Sequence, residues 1–349
     1  MLAVDQLHRI NAVLESEVLG GIDGMVVDVW AAVQPPGLGP QRPISASALT
    51  RLLECPHRFL LERILYLREP ATRPSTDAIM PVVYGSLFHT AAERFFREAG
   101  AALCRHEGSV DQWAARAREI AAEEFEELLH VYPMRGRDGI VRERQRLLRQ
   151  MEQLVQHEWK LPVREFLDSE FSFGDPEPVR LQLDDGELYV RGAIDRIDRV
   201  GPGALSVRDL KTGRVRDFGE DPINAGRDLQ IGLYTLALEA SRYAADGRVA
   251  EAAYVHPSAA QEPDRAFRGG EVDVLRRRTR EWLRIAWQLL YAGAFPRTPN
   301  PADCVYCPFV PACGDGAQLR SAAKLDRLTA GHPLASFARF KRQRSESEE

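Results

Sequence analysis

Asp195, Asp209 and Lys211 flank a single tight turn in the stretch ELYVRGAIDRIDRV-GPG-ALSVRDLKTG, residues 187–213. The turn is Gly201-Pro202-Gly203, and strands paired symmetrically about Pro202 set Asp195 opposite Asp209. Side chains alternate along a strand, so Lys211 shares the face of Asp209. Directly opposed Cβ atoms lie about 5 Å apart. Two carboxylates and an amine therefore converge on one patch. Opposed carboxylates repel, and a divalent cation offsets the repulsion. Mg²⁺ is commonly held by one or two carboxylates together with a substrate phosphate. A lysine beside it can orient a water or meet charge on a phosphate. The plain alternative is a solvated hairpin, with IDRID (194–198) making ordinary ion pairs.

A second group is made of sulfur. The chain has five cysteines, at 55, 104, 304, 307 and 313. An odd count argues against a disulfide framework. Cys304, Cys307 and Cys313 form a compact C-x2-C-x5-C run with no helical or strand period, and they supply three thiolates where a tetrahedral site takes four. Cys55 in LLECPHRF is the expected fourth, and Cys104 has no partner in spacing. Spacing alone does not separate zinc from iron–sulfur.

These groups need elements to hold them. Of the 349 residues 44% are hydrophobic and 28% charged, ordinary for a globular chain, and the length allows two domains or one large one. No apolar run approaches the ~18 residues of a membrane-spanning helix. The start, MLAVDQLHRI, shows no basic region followed by an apolar stretch, so no signal peptide is expected and the reading is cytoplasmic. Net charge is −5, so any nucleic-acid contact must use a local patch. The candidates are RERQRLLRQ (142–150) and RRRTREWLR (276–284), each of which reads equally as a solvated helix face. Arginine so dominates that Lys160, Lys211, Lys324 and Lys341 are the only lysines. No GxxxxGK[ST] phosphate loop and no internal repeat is present.

Helical periodicity predicts a helix from Ser45 or Ser47 that Pro56 interrupts after Cys55, and further helices over 81–100, 110–131 and 140–160. From Phe166 to Leu210 the period becomes that of strands. A helix over 228–244, a strand at EAAYVHP and an amphipathic helix over 271–292 follow, the last with Leu275, Trp282, Ile285 and Leu289 on one side. Residues 1–42 read as a separate segment, with a short helix around Leu7–Leu19 and a Pro/Gly linker at PPGLGPQRP. Residues 70–80 read as a loop, and the tail KRQRSESEE as charged and frayed.

GAIDRID followed by DLKTG resembles the core of the PD-(D/E)XK nuclease superfamily, in its RecB/AddB-type branch. The branch's other motifs stand in order. Gly85-Ser86-Leu87-Phe88-His89 matches its GxxxH helix, Glu170 its acidic residue before the core strand, and Gln230 through Tyr234 its QxxxY helix. The resemblance spans about residues 44–315. It implies an α/β fold, with a restriction-endonuclease-like central mixed β-sheet flanked by helices. It implies that Asp195 and Asp209, helped by the Leu210 carbonyl, ligate Mg²⁺ or Mn²⁺, with His89 as a further ligand or facing the phosphate. Lys211 would position the attacking water, while Gln230 and Tyr234 would organise the site and contact DNA. Without the family match, His89 reads as a satisfied core histidine and Tyr234 as packing; acidic residues before strands are common, so Glu170 is the weakest carry-over. His57 and Glu93 sit near motifs and receive no role.

One cysteine before the core and C-x2-C-x5-C after it resemble the iron–sulfur nucleases of this branch, which implies a [4Fe-4S] cluster on Cys55, Cys304, Cys307 and Cys313. A cross-link from Cys55 to Cys304 would staple the two ends of the domain, worth roughly 5 kcal/mol in the chain-entropy account. The implied activity is metal-dependent hydrolysis of DNA, as an exonuclease in double-strand-break end processing and recombinational repair with a helicase subunit as partner. Alternatives are a stand-alone exonuclease of the CRISPR-associated type and an inactive DNA-binding module; the intact Asp195, Asp209, Lys211, Gln230 and Tyr234 argue against the last. The expected organisation is a helicase-to-nuclease junction over 1–42, the nuclease domain over 43–320 and a charged tail over 321–349. The branch's subunits are much longer, and no helicase core is present here.

Overall fold

The long strand β4 (Glu187–Gly201) is the axis of the molecule, because four other strands pair with it. In this computed structural model, residues 16, 18–30, 33–68, 77–213, 221–258 and 264–346 are described. The first half of β4 takes β1 (Ile44–Ser45) in parallel and β3 (Val179–Gln182) antiparallel. Its second half takes β2 (Glu165–Phe173) and β5 (Ala204–Leu210), both antiparallel. Beyond β5 the sheet continues to β6 (Arg248–Val255) in parallel and to β7 (Asp264–Arg268) antiparallel. This is the mixed sheet with flanking helices expected from the sequence; β7 is an addition to it.

Helices cover both faces. On one lie α1 (Ala46–Glu54), α5 (Gln230–Glu239) and α6 (Gly270–Tyr291); on the other lie α2 (Pro81–Cys104), α3 (Val110–Val131) and α4 (Arg137–Trp159). Ser45 caps α1 by accepting from Ala48 N–H, and Pro56 opens a new turn directly after Cys55. The stripe Tyr84, Leu87, Phe88, Ala91, Phe95 packs α2 at helical spacing. α5 differs: every residue from Ile231 to Leu238 is buried, so it is wrapped on all sides. It approaches α6 so closely that a Cβ on Gly232 would lie 2.0 Å from Thr279 Oγ1. It is shorter than the expected 228–244, because the Ser241 hydroxyl accepts from Tyr243 N–H and starts a separate 3-10 turn.

Both ends of the described chain pack on the core. Gly37 accepts from Tyr189 N–H of β4, and the Trp30 ring meets Phe295 edge-on at 4.8 Å. After the cysteine run come α7 (Ala317–Asp326) and α8 (Ala335–Glu346), the latter continuing into the first residues of KRQRSESEE, where fraying was expected; Leu334, Phe337 and Phe340 of this segment are buried. The expected short helix around Leu7–Leu19 falls mostly, and the loop 70–80 largely, outside the described residues. Among the described residues no helix is long and apolar enough to cross a membrane.

The hairpin register is the one the turn predicts, with Arg196 paired to Arg208 and Asp198 to Ser206. Opposed arginines repel. Here Glu158, at the end of α4 and fully buried, is bonded to both and also to Arg164. Asp198 adds bonds of 3.0 Å from Arg196 and 3.1 Å from Arg164. Burial opposes ionisation of Glu158, but Arg196, Arg208 and Arg164 outweigh it and hold its carboxyl well below the usual range. A depressed carboxylate pKa contributes stability above its unfolded value of about 4.3, lost as pH falls toward the folded value. Removing one partner of a buried pair typically costs about 3–5 kcal/mol. Glu158→Gln is therefore expected to lower urea-unfolding stability at pH 7 by that much. It should also lose part of the wild type's further decline below about pH 4. Equal stability of the two proteins at pH 7 would contradict the network's role.

Candidate active site

The pairing of β2 with β4 skips one step. Ser169 pairs with Arg196 and Phe171 with Ile194, but Glu170 and Asp195 between them do not pair. Glu170 takes a left-handed backbone, φ 54°, unusual for a residue with a side chain. The interruption turns its carboxylate out of the ladder and toward α2. There His89 Nδ1 lies 3.6 Å from Glu170 Oε1 and 3.3 Å from Asp195 Oδ1. The ligand atoms of these three residues all lie within 4.8 Å of one another. Asp195 Oδ2 accepts from Leu210 N–H. Leu210, whose carbonyl is expected to help ligate the metal, thus lies directly against Asp195 through its amide.

Asp209 follows Arg208 one step beyond the last recorded hairpin pair, and Lys211 Nζ lies 2.6 Å from its Oδ2. Lys211 Nζ also donates to Gln230 Oε1 at 2.8 Å, and Gln230 Nε2 donates to Tyr234 Oη at 2.8 Å. The i, i+4 spacing on α5 thus forms a relay of contacts from Asp209 to the phenol. The sequence reading missed Tyr254, which pairs with Asp209 across β5 and β6. Its hydroxyl accepts from Ile231 N–H and donates to the Asp228 carbonyl, anchoring the first turn of α5, while its ring lies 5.5 Å from Lys211 Nζ. An aromatic in the middle of a buried strand gave no sign beyond packing.

The electrostatics follow from burial and crowding. Burial pushes the Asp209 carboxyl up to about 6; Asp195 adds to the rise and Lys211 opposes it. Burial alone would lower His89, but the bonds to Asp195 and Glu170 outweigh it and push the imidazole up to about 10. Tyr234 is raised by burial and by Asp209. Three carboxylates and an imidazole suit a hard divalent cation. Asp209 Oδ1 is buried with no hydrogen-bond partner among the described residues, which fits a donor set still able to take one. Beside the site a cleft of about 580 Å³ runs from Lys211 and Gln230 past Ser47 and Thr50 to Arg227 and His256.

Elsewhere, Cys55, Cys304, Cys307 and Cys313 line one small cavity, so the structure brings the four expected thiols together. Their sulfurs are not drawn as close as the His89, Glu170 and Asp195 ligand atoms, the one such group among the described residues. Cys104 lies apart, accepting from Arg196 Nη2 at 2.9 Å. His57 faces the Phe295 carbonyl, and Glu93 pairs with Arg97. Both basic stretches carry arginines paired with acids, Arg142, Arg144 and Arg146 in the first among them. In 276–284, Arg276 is buried on Glu239 and Asp273, and Arg278 and Arg284 pair with acids. In 142–150, Arg146 lies over the Tyr84 ring at 3.8 Å.

In the metal-free protein, His89 is expected to stay protonated to about pH 10 in a nitrogen-15 NMR titration, and to titrate lower in Glu170→Gln. A raised imidazole pKa stabilises the fold fully below about 6.5, and that contribution is lost as pH rises through 10. An imidazole titrating near 6.5 with both carboxylates present would refute this account.

A profile of the PD-(D/E)XK nuclease superfamily matches residues 43–314, and the chain belongs to that superfamily. No curated protein matches the chain in a sequence search.

Proposed function

We propose that this superfamily member is a metal-dependent deoxyribonuclease of the RecB/AddB type, acting as an exonuclease in the cytoplasm on DNA ends during double-strand-break repair, with a helicase subunit as partner. The observation that carries the reading is the convergence of the Asp209–Lys211 pair with His89, Glu170 and Asp195 at the end of the hairpin. Superfamily membership supports nuclease chemistry, and the five motifs in order favour the branch.

Asp195, Asp209, Glu170 and His89, with the Leu210 carbonyl, would hold Mg²⁺ or Mn²⁺. The ion would supply Lewis acidity at the phosphate and a lowered pKa for water. Lys211 Nζ orients the attacking water, itself held by Asp209 and by Gln230 Oε1. Tyr234 fixes the Gln230 amide so that its oxygen faces the ammonium. The cleft beside Lys211 has the hydroxyls and guanidinium groups to follow a phosphate backbone.

We assign the four-cysteine cavity to a [4Fe-4S] cluster with a structural role. One cysteine before the core, a C-x2-C-x5-C run after it, and the four thiols lining one cavity support that reading.

Wild-type protein purified without oxygen is expected to shorten end-labelled single-stranded DNA with Mg²⁺ and not with EDTA, and the position of the label reports polarity. Lys211→Ala should cut at least ~10²-fold more slowly, the usual cost of losing one preorganised charge-stabilising group. Undiminished cleavage by Lys211→Ala would overturn the assignment of roles. Cys304→Ala is expected to lose its iron and sulfide and to melt at lower temperature; an unchanged melting temperature with full activity would remove the staple.

A further inference from the structure

Two of the four lysines are not on the surface. Lys324 and Lys341 are buried, and both come from the C-terminal helices. Lys324 Nζ lies 2.9 Å from both carboxylate oxygens of Asp23. Lys341 is placed more tellingly. Its Nζ lies 2.8 Å from Asp303 Oδ2, with 0% and 2% of the two side chains exposed. The same nitrogen donates to the Glu54 carbonyl. Asp303 is the residue before Cys304, and Glu54 the residue before Cys55. One ammonium thus touches the chain immediately ahead of a cysteine in each of two segments that are far apart in sequence.

The surroundings fix that ammonium. Phe337 and Phe340 of the same helix place their ring centres 5.6 and 5.8 Å from Nζ, and Phe340 meets Trp282 of α6 edge-on at 3.7 Å. Asp303 Oδ2 also accepts from Thr298 Oγ1 at 2.6 Å. Asn300 Oδ1 accepts from Ala302 N–H and caps the turn that leads into Cys304. Burying a lysine and an aspartate is expensive, and an apolar pair of similar volume often serves stability as well or better. A device of that cost with both contacts next to cysteines points to geometry rather than to stability.

We propose that Lys341 is a positioning residue for the four-cysteine site: by binding the Glu54 carbonyl and the Asp303 carboxylate together, it sets Cys55 against the Cys304–Cys313 loop before the metal group is loaded. This rests on the reading that the four cysteines hold a metal group. The outer partners of metal ligands typically contribute 10–100-fold to metal affinity. C-terminal helix α8 then acts as the clasp of the site, although none of its residues is a ligand.

The test uses the full chain purified without oxygen, as wild type, Lys341→Met and Lys341→Arg. Iron, zinc and acid-labile sulfide per chain are measured, then the rate at which a chelator removes the metal well below the melting temperature. Far-ultraviolet circular dichroism verifies folding. The expected result is a folded Lys341→Met protein that loses metal at least tenfold faster than wild type, with partial rescue by arginine. A role confined to stability would lower the melting temperature and leave the extraction rate of the folded protein unchanged, which would overturn the proposal. Wild type free of iron and zinc would instead sink the metal reading itself. If Lys341→Met does not fold, the double variant Lys341→Met, Asp303→Leu replaces the pair with apolar groups and carries the same readout: wild-type extraction kinetics there would also overturn the proposal.

Discussion

Two arginines facing each other across a hairpin, Arg196 and Arg208, are held together by one buried carboxylate, Glu158. The proposed site depends on that arrangement. The neighbouring residues, Asp195 and Asp209, carry the opposite problem, two carboxylates close enough that Asp195 raises the pKa of Asp209. On the arginine side the repulsion is answered from within the protein, by a helix end driven against the sheet. On the aspartate side it is answered only in part, by Lys211 and His89. The difference is chemically sensible. A fully neutralised carboxylate pair has no affinity left for a cation, whereas a partly neutralised one does.

The rest of the fold sets the distances. Gln230 reaches Lys211, and Tyr234 reaches Gln230, because α5 crosses from β5 to β6, and Tyr254 pins the start of that helix to the strand next to Asp209. Glu170 reaches His89 because the β2 ladder gives up one pair at its position. Backbone irregularity at one residue is exchanged for a carboxylate aimed out of the sheet, a recurrent pattern at functional sites.

Much of this was legible in the sequence. The symmetric turn specified the register, and the 2-residue period placed Lys211 beside Asp209. Pro56 marked the break after Cys55, and Ser45 was one of two foreseen caps. Glu170 was the weakest of the carried-over residues, because no local pattern announces a skipped ladder step, yet the structure puts it beside His89 and Asp195. The plain reading of IDRID as a solvated hairpin with ion pairs held only for the pairing: Arg196 and Asp198 are bonded but fully buried, while Asp195 in the same five residues turns elsewhere. The C-terminal helices were not foreseen: the charges of KRQRSESEE hide a lysine whose partners lie far away in sequence. Burial of a charged side chain depends on those distant partners, which no window along the chain contains.

The burial of α5 has a mechanical consequence. A helix wrapped on all sides, with Gly232 against Thr279, has no room to translate or rotate without opening the core. The amide and phenol it presents therefore form a stiff wall. Glu170 and His89 are carried by other elements, the irregular strand β2 and helix α2. The stiff side chains of α5 and the group of His89, Glu170 and Asp195 are thereby held by separate parts of the fold.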